Sequence, residues 1–523
     1  MSRAIKHEEA MLPEIELSLP AKAAGLLPII LPIAGAILLI MIRIQAGRPV
    51  SFIYSDALVM LALISYICAA VLLVTNIFVK ENVLDRLGLF TTALGYCFNL
   101  SGWMIRWVEA GDKEGWKAGI NGVWRYFPLD NLYALTLGFC AGAGIATLVV
   151  IRKPKYRALG ALSMPILVVI LALGMMLGSG ISTLPPILDS YWRPIHVSIA
   201  TLAYGVCLFS FGLAFAYLLK DGIRSEAVAI WTAGYGLLVL GTLGYGTAEA
   251  YSVPFHMQYT VNLFLDKNSL PLRTELPMVG PLMALTLLAV VAAIGLLMRD
   301  HFHRDDRVRA WGWKFFNGAV VLQVLVLALL FFQMKTLDNP AQRVPEREFQ
   351  TFAGWMKEQT QQESVTVEEA RQWVQQNSSS LKLSMTSNPV EFGALIGLSV
   401  ALFMVALFSW KRDAVVSALP GIKTIDSLLY RTVGVAFPLL SLLLITGAVW
   451  ANESWGRYWG WDSKEVGALV AWMAYAGFLH TRIAHGWRGR RSAYFALLGF
   501  ALVIFTWLGV SFIIPGLHSY AGV

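Results

Sequence analysis

The fold of this chain is decided by residues 455–465, which read WGRYWGWDSKE. Counted together with Trp450, this stretch places four tryptophans within twelve residues, although the whole chain has only 18 tryptophans in 523 residues. Apolar runs of membrane-spanning character lie on both sides, at 433–449 and at 466–481. We therefore interpret the stretch as a short loop that joins two transmembrane helices.

The density of aromatic residues in this loop needs an explanation. An aromatic belt at headgroup depth is the plainer one, since tryptophan is enriched at membrane interfaces. Here, however, four tryptophans and Tyr458 lie beside the charged residues Asp462, Lys464 and Glu465. This arrangement favours a flat platform of indole rings, which suits a large, planar, apolar ligand. A porphyrin fits that description best.

Composition places the rest of the chain in a membrane. The sequence is 57% hydrophobic and only 14% charged, whereas soluble proteins are about 25% charged. Apolar segments near twenty residues recur, and each is long enough to cross a hydrocarbon core of about 30 Å. We predict an all-α, polytopic transmembrane helical bundle. The four cysteines lie in apolar runs without a C-x-x-C pair, which indicates packing residues.

The hydropathy pattern predicts about thirteen spans, and the basic residues predict their orientation. Basic clusters at 152–157 and 482–491 are typical of short cytoplasmic loops. They indicate a cytoplasmic N-terminus, with residues 1–23 as a lead-in, and an extracytoplasmic C-terminus. The formal net charge of +8 therefore reports membrane topology rather than nucleic-acid binding.

Two histidines reach the same membrane face as the tryptophan loop on this topology. His196 stands at the outer start of the sixth span, just after Pro194, and His518 lies just past the last span. His480 lies near the inner end of the span at 466–482. A histidine within a span is costly unless it is partnered, so His480 is a functional candidate. A hydrogen bond to a neighbouring helix is the plainer alternative.

Distance along the helix separates these histidines into two sites. About 18 residues of helix separate Asp462 from His480, which is about 27 Å. Haem iron accepts two axial ligands, and histidine is a common one. We therefore predict an outer site ligated by His196 and His518, and an inner site that uses His480 and a second ligand from a partner subunit. Four further histidines are interpreted as solvated surface residues: His7, His301, His303 and His485. His256 stays ambiguous.

At these residues the chain resembles the haem-handling protein superfamily, which has a tryptophan-rich loop flanked by two external histidines. Within it, the loop is similar to that of the CcsA/ResC subunit of system II cytochrome c synthases, which typically reads W-G-x-Y-W-x-W-D-x-K-E. Further similar segments are PLDNLY at 128–133, SYWRPIHVS at 190–198, AYAGFLHTR at 474–482 and GLHSYA at 516–521.

The resemblance implies a role for each residue. His196 and His518 would ligate haem iron at the external site, and His480 would be the transmembrane ligand. The haem-binding loop would be formed by Trp455, Trp459, Trp461 and Asp462.

The resemblance also implies the chemistry. The chain would present haem b on the extracytoplasmic face of the bacterial inner membrane, or an equivalent membrane, having also received it across that membrane. The haem would be attached through thioether bonds to the C-x-x-C-H motif of apocytochrome c, with no side chain of this chain acting as nucleophile. A separate CcsB/ResB-type subunit would complete the synthase complex.

Two features depart from the family pattern. Ser463 stands where the family commonly has proline. About 200 residues separate two spans that are close neighbours in the family, which we interpret as an insertion. The resemblance thus divides the chain into a lead-in at 1–23, an N-terminal transmembrane part at 24–220, inserted spans at 221–420 with an external segment at 335–390, and a tryptophan-rich core at 421–523.

Three alternatives stay open at this point. The first is a haem lyase or haem-delivery component of the other bacterial maturation pathway, whose loops tend to lack the Lys-Glu pair after the aspartate. The second is a membrane subunit of a respiratory or transport complex that uses the haem-handling fold. The third is a secondary transporter that binds no haem.

Overall fold

The computed structural model describes residues 24–116, 124–181, 190–243, 257–266, 268–361, 364–384 and 388–510. Three features predicted above, namely His518, His256 and the lead-in 1–23, lie outside these residues. The helices that precede residue 221 are α1 (Leu27–Ala46), α2 (Ser55–Val79), α3 (Asn82–Glu114), α4 (Leu132–Ile151), α5 (Gly160–Met176) and α6 (Trp192–Lys220), with a 3₁₀ turn at Pro154–Leu159 before α5.

The middle of the chain combines long helices with a small sheet. Its elements are α7 (Ser225–Leu243), β1 (Thr260–Leu265), β2 (Asn268–Glu275), α8 (Val279–His303), α9 (Asp306–Thr336), α10 (Glu346–Thr360), α11 (Val367–Gln376), β3 (Leu381–Leu383), α12 (Pro389–Trp410) and α13 (Arg412–Ala418). The chain then continues through α14 (Ile422–Trp455), α15 (Ser463–Ala484) and α16 (Arg490–Ile504), which ends in a π-helical turn at Phe505–Gly509.

Eleven helices among the described residues are long and apolar enough to cross a membrane. The two other predicted spans, 87–108 and 466–482, lie on α3 and α15. These helices have 33 and 22 residues, so their length also suffices. Polar and aromatic residues, such as Asn99 in α3 and His480 in α15, lower their hydropathy. The chain is an all-α, polytopic integral membrane protein, apart from three short strands among the residues that the structure describes.

Three larger hydrophobic clusters and a small one around Ile53, Leu58 and Ile105 hold the described helices together. The largest cluster contains residues of the five helices α2 through α6 together with residues of α14, α15 and α16. A second cluster consists mainly of residues from α7, α8, α9 and α12. A third, smaller cluster lies under the sheet and contains Phe349, Phe352 and Val374 from α10 and α11. The predicted platform, His196 and His480 all belong to helices of the first cluster or to the loop between them.

The small sheet joins two segments that lie far apart in the sequence. Strand β1 lies between β2 and β3 and pairs antiparallel with both, so that the β1–β2 hairpin contacts part of the segment 335–390, which was predicted to be external. In β2, Leu270, Leu272 and Thr274 are buried and alternate with more exposed residues, which is the period of a half-buried strand.

A capping box opens α11. The Thr366 hydroxyl accepts from the Glu369 N–H at 3.2 Å, and the Glu369 carboxylate accepts from the Thr366 N–H at 2.7 Å. Each interaction satisfies a backbone donor that the first turn of a helix cannot pair internally.

Helices α14 and α15 form a hairpin that carries the tryptophan loop at one end. At the other end Arg482 donates two hydrogen bonds to the Asp426 carboxylate, at 2.8 and 2.5 Å. Helix α14 also packs along α6, and the buried Tyr475 hydroxyl of α15 lies 3.0 Å from Ser210 Oγ of α6. These contacts fix α6 against the hairpin and so position the start of α6 beside the loop.

Candidate functional site

A cleft opens where the start of α6, the end of α14 and the tryptophan loop meet. Its empty space is about 1140 Å³ when the open mouth is included. Most of its lining is apolar, as in pockets that bind organic cofactors. The aromatic residues that line it are Phe139, Tyr204, Trp450, Tyr458, Trp459 and Trp507.

His196 lies on one wall of this cleft, held against α14. Its Nδ1 lies 3.0 Å from the Leu443 carbonyl oxygen and 3.4 Å from Thr446 Oγ1. A carbonyl oxygen can only accept a hydrogen bond, so Nδ1 carries a proton, and in the neutral imidazole Nε2 then carries the lone pair. The Trp450 ring is tilted by 33° against the imidazole, with 5.6 Å between the ring centroids. His196 is therefore oriented and held in the tautomer that ligates a metal through Nε2.

Arg193 fixes a neighbouring part of the cleft wall, which includes Leu129. This arginine is only 2% exposed, and it donates to the carbonyl oxygens of Leu129 and Arg125 at 3.2 and 2.9 Å. A buried guanidinium requires such partners, because an unpaired charge is costly away from water. Arg193 precedes His196 by less than one helical turn, so the same stretch of α6 carries the imidazole and anchors residues 125–129 beside it.

The segment 128–133 is a polar junction beside this wall. The Pro128 carbonyl accepts from the indole of Trp103 at 2.9 Å, and Asp130 lies 3.7 Å from the Arg106 guanidinium. Asn131 caps α4 through the Ala134 N–H at 2.9 Å. These contacts give the residues of this motif a structural function at the rim of the cleft.

The four tryptophans of the loop region occupy different environments. Trp450 and Trp459 line the cleft. Trp455 packs against Trp450, with 5.6 Å between the ring centroids. Trp461 is 73% exposed and packs edge-on against Trp459, at 5.8 Å. The rings therefore do not form one flat surface: two of them face the cleft, one lies behind, and one points away.

The loop backbone is held by one carboxylate. Trp461 has a left-handed backbone conformation with a φ of 56°, which costs a non-glycine residue about 1–2 kcal/mol. Glu465 Oε2 accepts hydrogen bonds from the N–H of Gly460 at 2.8 Å and from the N–H of Asp462 at 3.1 Å. These two bonds lie on either side of Trp461 and stabilise its conformation.

Asp462 is the N-cap of α15. It is 7% exposed, and its Oδ2 accepts from the Lys464 N–H at 3.2 Å. With Glu465 it forms a capping box. The carboxylate thus has a structural function in the loop, besides the haem-binding function that was predicted for it.

We predict that Asp462 acts through this cap. Asp462→Ala should lower the stability of the purified protein by about 0.5–2 kcal/mol, the usual effect of losing an N-cap side chain. Asp462→Ser keeps an N-cap oxygen but removes the charge, and should behave like the wild type in thermal unfolding and in haem content. Loss of haem in a stable Asp462→Ser protein would contradict this prediction and indicate direct contact with the ligand.

Four charged side chains belong to the lining: the cations Arg193 and Lys464 and the carboxylates Asp130 and Glu465. Lys464 precedes the predicted span 466–482. Burial lowers the pKa of its ammonium group to about 8, although the nearby Asp462 carboxylate acts in the opposite direction. A carboxylate on a bound ligand would stabilise the charged form of this lysine.

His480 lies far from the cleft, on the last turns of α15. It is exposed, and its ring centroid is 5.5 Å from that of His485. The structure brings His196 and Trp459 together in one cleft, and it keeps His480 apart at the other end of the hairpin. His518 lies beyond the described residues, so its predicted ligation of the same iron stays a prediction.

Several cleft residues were not predicted from the sequence as part of the site. For three of them the sequence holds a weak indication of their position in the site, and for two it holds none. Trp450 and Lys464 lie next to or within the tryptophan stretch. Arg193 lies three residues before His196, on the same helical face. Phe139 and Trp507 gave no signal, because an aromatic residue in a span is usually a packing residue.

Comparison with known proteins supports the resemblance. The family described as cytochrome C assembly protein matches residues 129–518. The cytochrome c biogenesis protein CcsA of Guillardia theta is 54% identical over 99 residues, which are 19% of this chain and 33% of that protein. CcsA of Mesostigma viride is 55% identical over 98 residues (19% and 32%), and CcsA of Gloeobacter violaceus is 53% identical over 98 residues (19% and 29%).

The chain spans about a third of the length of these curated relatives. No solved structure matches it at a significant level. The family match nevertheless covers well over half of the chain. Its residues extend from the segment at 128–133 through the His196 helix and the tryptophan loop. This chain therefore belongs to the cytochrome c assembly protein family, as a member of the CcsA type.

Proposed function

We propose that the chain functions in cytochrome c biogenesis by binding haem in the cleft and presenting it for attachment to apocytochrome c. The observation that carries this proposal is the position of His196 in an aromatic cleft, with Nδ1 on a backbone carbonyl at 3.0 Å. The Nε2 lone pair would ligate iron. The name of the relatives, cytochrome c biogenesis protein, agrees with this assignment.

The lining of the cleft suits haem in particular. Trp450 and Trp459 would contact the faces or edges of the macrocycle. Haem also carries two carboxylates, and the cations of Arg193 and Lys464 belong to the same lining. The carboxylates of Asp130 and Glu465 also line the cleft, so the aromatic rings and the oriented imidazole, rather than the net charge, favour an apolar, iron-bearing macrocycle.

The attachment reaction requires little chemistry from the chain itself. Each thiol of the apocytochrome adds across a vinyl group of haem: a C–S bond forms, the S–H bond breaks, and the hydrogen goes to the other vinyl carbon. Neither oxidant nor reductant is consumed. The chain would contribute axial ligation and orientation of the reacting groups.

Further parts of the proposal concern components beyond the cleft. His518 would supply the second axial ligand, and the face that carries the tryptophan loop would be extracytoplasmic. His480 would bind haem b as it is received from the cytoplasmic side. A CcsB/ResB-type subunit would complete the synthase and supply a further ligand.

Co-expression with a C-x-x-C-H reporter tests this function, because only a synthase yields haem that stays bound to the denatured reporter. We expect Trp459→Ala to lower the yield of such reporter several-fold, because it removes a stacking contact with the haem ring. Stacking of a planar nucleic-acid base on an aromatic side chain is worth about 1–3 kcal/mol, which sets the scale. Trp461→Ala is the matched control and should have the smaller effect, because its ring points out of the cleft. Wild-type protein that yields no haem-bound reporter, alone or with its partner subunit, would exclude the synthase function.

A further inference from the structure

The imidazole of His196 rests directly on the backbone of α14. Its contacts come from three residues on one face of that helix, at i, i+4 and i+7: the Leu443 carbonyl, Gly447 and the ring of Trp450. Thr446 Oγ1 lies 3.4 Å from Nδ1 but donates to the Leu442 carbonyl at 2.7 Å. The orientation of the ring is therefore set mainly by backbone atoms of α14, which move little.

Gly447 makes this approach possible. A Cβ atom built on Gly447 would lie 2.7 Å from Cε1 of His196 and 3.1 Å from its Nδ1. The first distance is shorter than carbon atoms tolerate without bonding, so any side chain at 447 must displace the ring or the helix. The same helix offers a comparison at Gly434, where a Cβ would meet nothing within 4 Å.

We propose that Gly447 is a positioning residue for haem ligation, acting together with the Leu443 carbonyl. Their contacts hold His196 in the Nδ1-protonated tautomer and aim Nε2 at the iron of the substrate haem. A histidine whose other nitrogen donates to a carbonyl is also a stronger ligand. The proposal rests on the proposed function, namely that His196 ligates iron.

A methyl group at 447 should change the orientation of the His196 imidazole, the proposed iron ligand, and not merely the packing of the helices. If it pushes the ring away from Leu443, Nδ1 loses its acceptor, the tautomer is no longer fixed and the Nε2 lone pair turns. The affinity for haem falls, and the spectrum and reduction potential of the bound haem change, because both depend on the axial ligand. A purely structural disturbance would lower the amount of folded protein and leave the haem that is still bound unchanged.

The experiment compares Gly447→Ala with Gly434→Ala in the purified chain, titrated in detergent with ferric haem. Both substitutions place alanine in the same helix, so the gain in helix propensity is shared. We expect Gly447→Ala to lower haem affinity about 10–100-fold, the usual effect of losing an outer-shell partner, and to shift the Soret band and the potential. Gly434→Ala should match the wild type.

A double-mutant cycle with His196→Ala completes the test. Once the imidazole is gone, the methyl at 447 meets no ring, so His196→Ala with Gly447→Ala should bind haem as weakly as His196→Ala alone. If Gly447→Ala alone gives little folded protein, recovery of the yield in the double variant supports the proposal, and failure to recover overturns it. Equal affinities for Gly447→Ala and Gly434→Ala overturn it as well, whereas unchanged haem binding by His196→Ala overturns the proposed function itself.

Discussion

Replacing His196 with alanine should reduce haem binding by the purified chain about 100-fold or more, because loss of an outer-shell partner alone costs about 10–100-fold in metal affinity. The substitution removes an axial ligand and leaves the aromatic lining of the cleft in place. The remaining haem should therefore bind weakly, with a Soret band typical of a lost histidine ligand. The measurement is a haem titration of the purified protein, followed by its spectrum in both oxidation states.

His303 offers a matched control for this substitution. Its Nδ1 also lies near a backbone carbonyl oxygen, that of Arg299 at 3.2 Å, but it is exposed at the end of α8 and outside the cleft. His303→Ala should therefore leave the affinity and the spectrum unchanged. Equal haem binding by the His196→Ala and His303→Ala proteins would remove the basis for ligation by His196.

The yield of haem-bound reporter should change in the same direction as the haem affinity, with a loss for His196→Ala and no loss for His303→Ala. Presentation for attachment requires that the iron be held with its vinyl groups in a fixed place. His196→Ala should therefore lower the reporter yield at least as strongly as it lowers haem binding. A variant that loses haem affinity but keeps full reporter yield would show that another ligand, such as His518, suffices for the reaction.

The helices could be predicted from the sequence because hydropathy acts locally. A run of about twenty apolar residues specifies a span whatever its neighbours are. The two spans with lower hydropathy, on α3 and α15, were also correctly predicted as helices. The pairing of β1 with β3 was not predicted because it is not local: Leu263 of β1 lies opposite Leu383 of β3, more than a hundred residues away.

The helix-capping role of Asp462 could have been predicted from the sequence, but only its haem-binding role was. Thr366 and Glu369 form the capping box of α11, and their spacing in the sequence is typical of one. Asp462 and Glu465 have the same spacing before an apolar run. The family resemblance nevertheless implies a haem-binding role for Asp462, because this residue lies in the tryptophan loop.

Other parts of the cleft were beyond prediction for a physical reason. Arg193 is buried because the carbonyl oxygens of Arg125 and Leu129, from another segment, accept its hydrogen bonds. The approach of His196 to Gly447 likewise depends on how α6 crosses α14. Such contacts are set by packing between distant segments, which hydrophobic periodicity does not encode.

The second large effect is expected where α6 crosses α4. A Cβ atom on Gly205 would lie 2.3 Å from the Ala143 nitrogen and 2.4 Å from the Gly142 carbonyl carbon. These are backbone atoms, so no side-chain rotation relieves the clash, and the two helices must move apart. Close helix contacts through small residues are typical of membrane proteins. We expect Gly205→Ala to destabilise the protein by about 1–3 kcal/mol or more.

The displacement of α6 from α4 should also change the geometry of the cleft. Gly205 follows His196 by about nine residues, or about 13 Å along α6, so a shift of α6 away from α4 also moves the imidazole relative to Phe139 of α4. Gly205→Ala should therefore lower both the midpoint of thermal aggregation in detergent and the affinity for haem. Gly241→Ala in α7 is the control, because a Cβ there meets nothing within 4 Å and the helix-propensity gain is the same. Equal midpoints for the two variants would mean that α4 and α6 do not cross as closely as described.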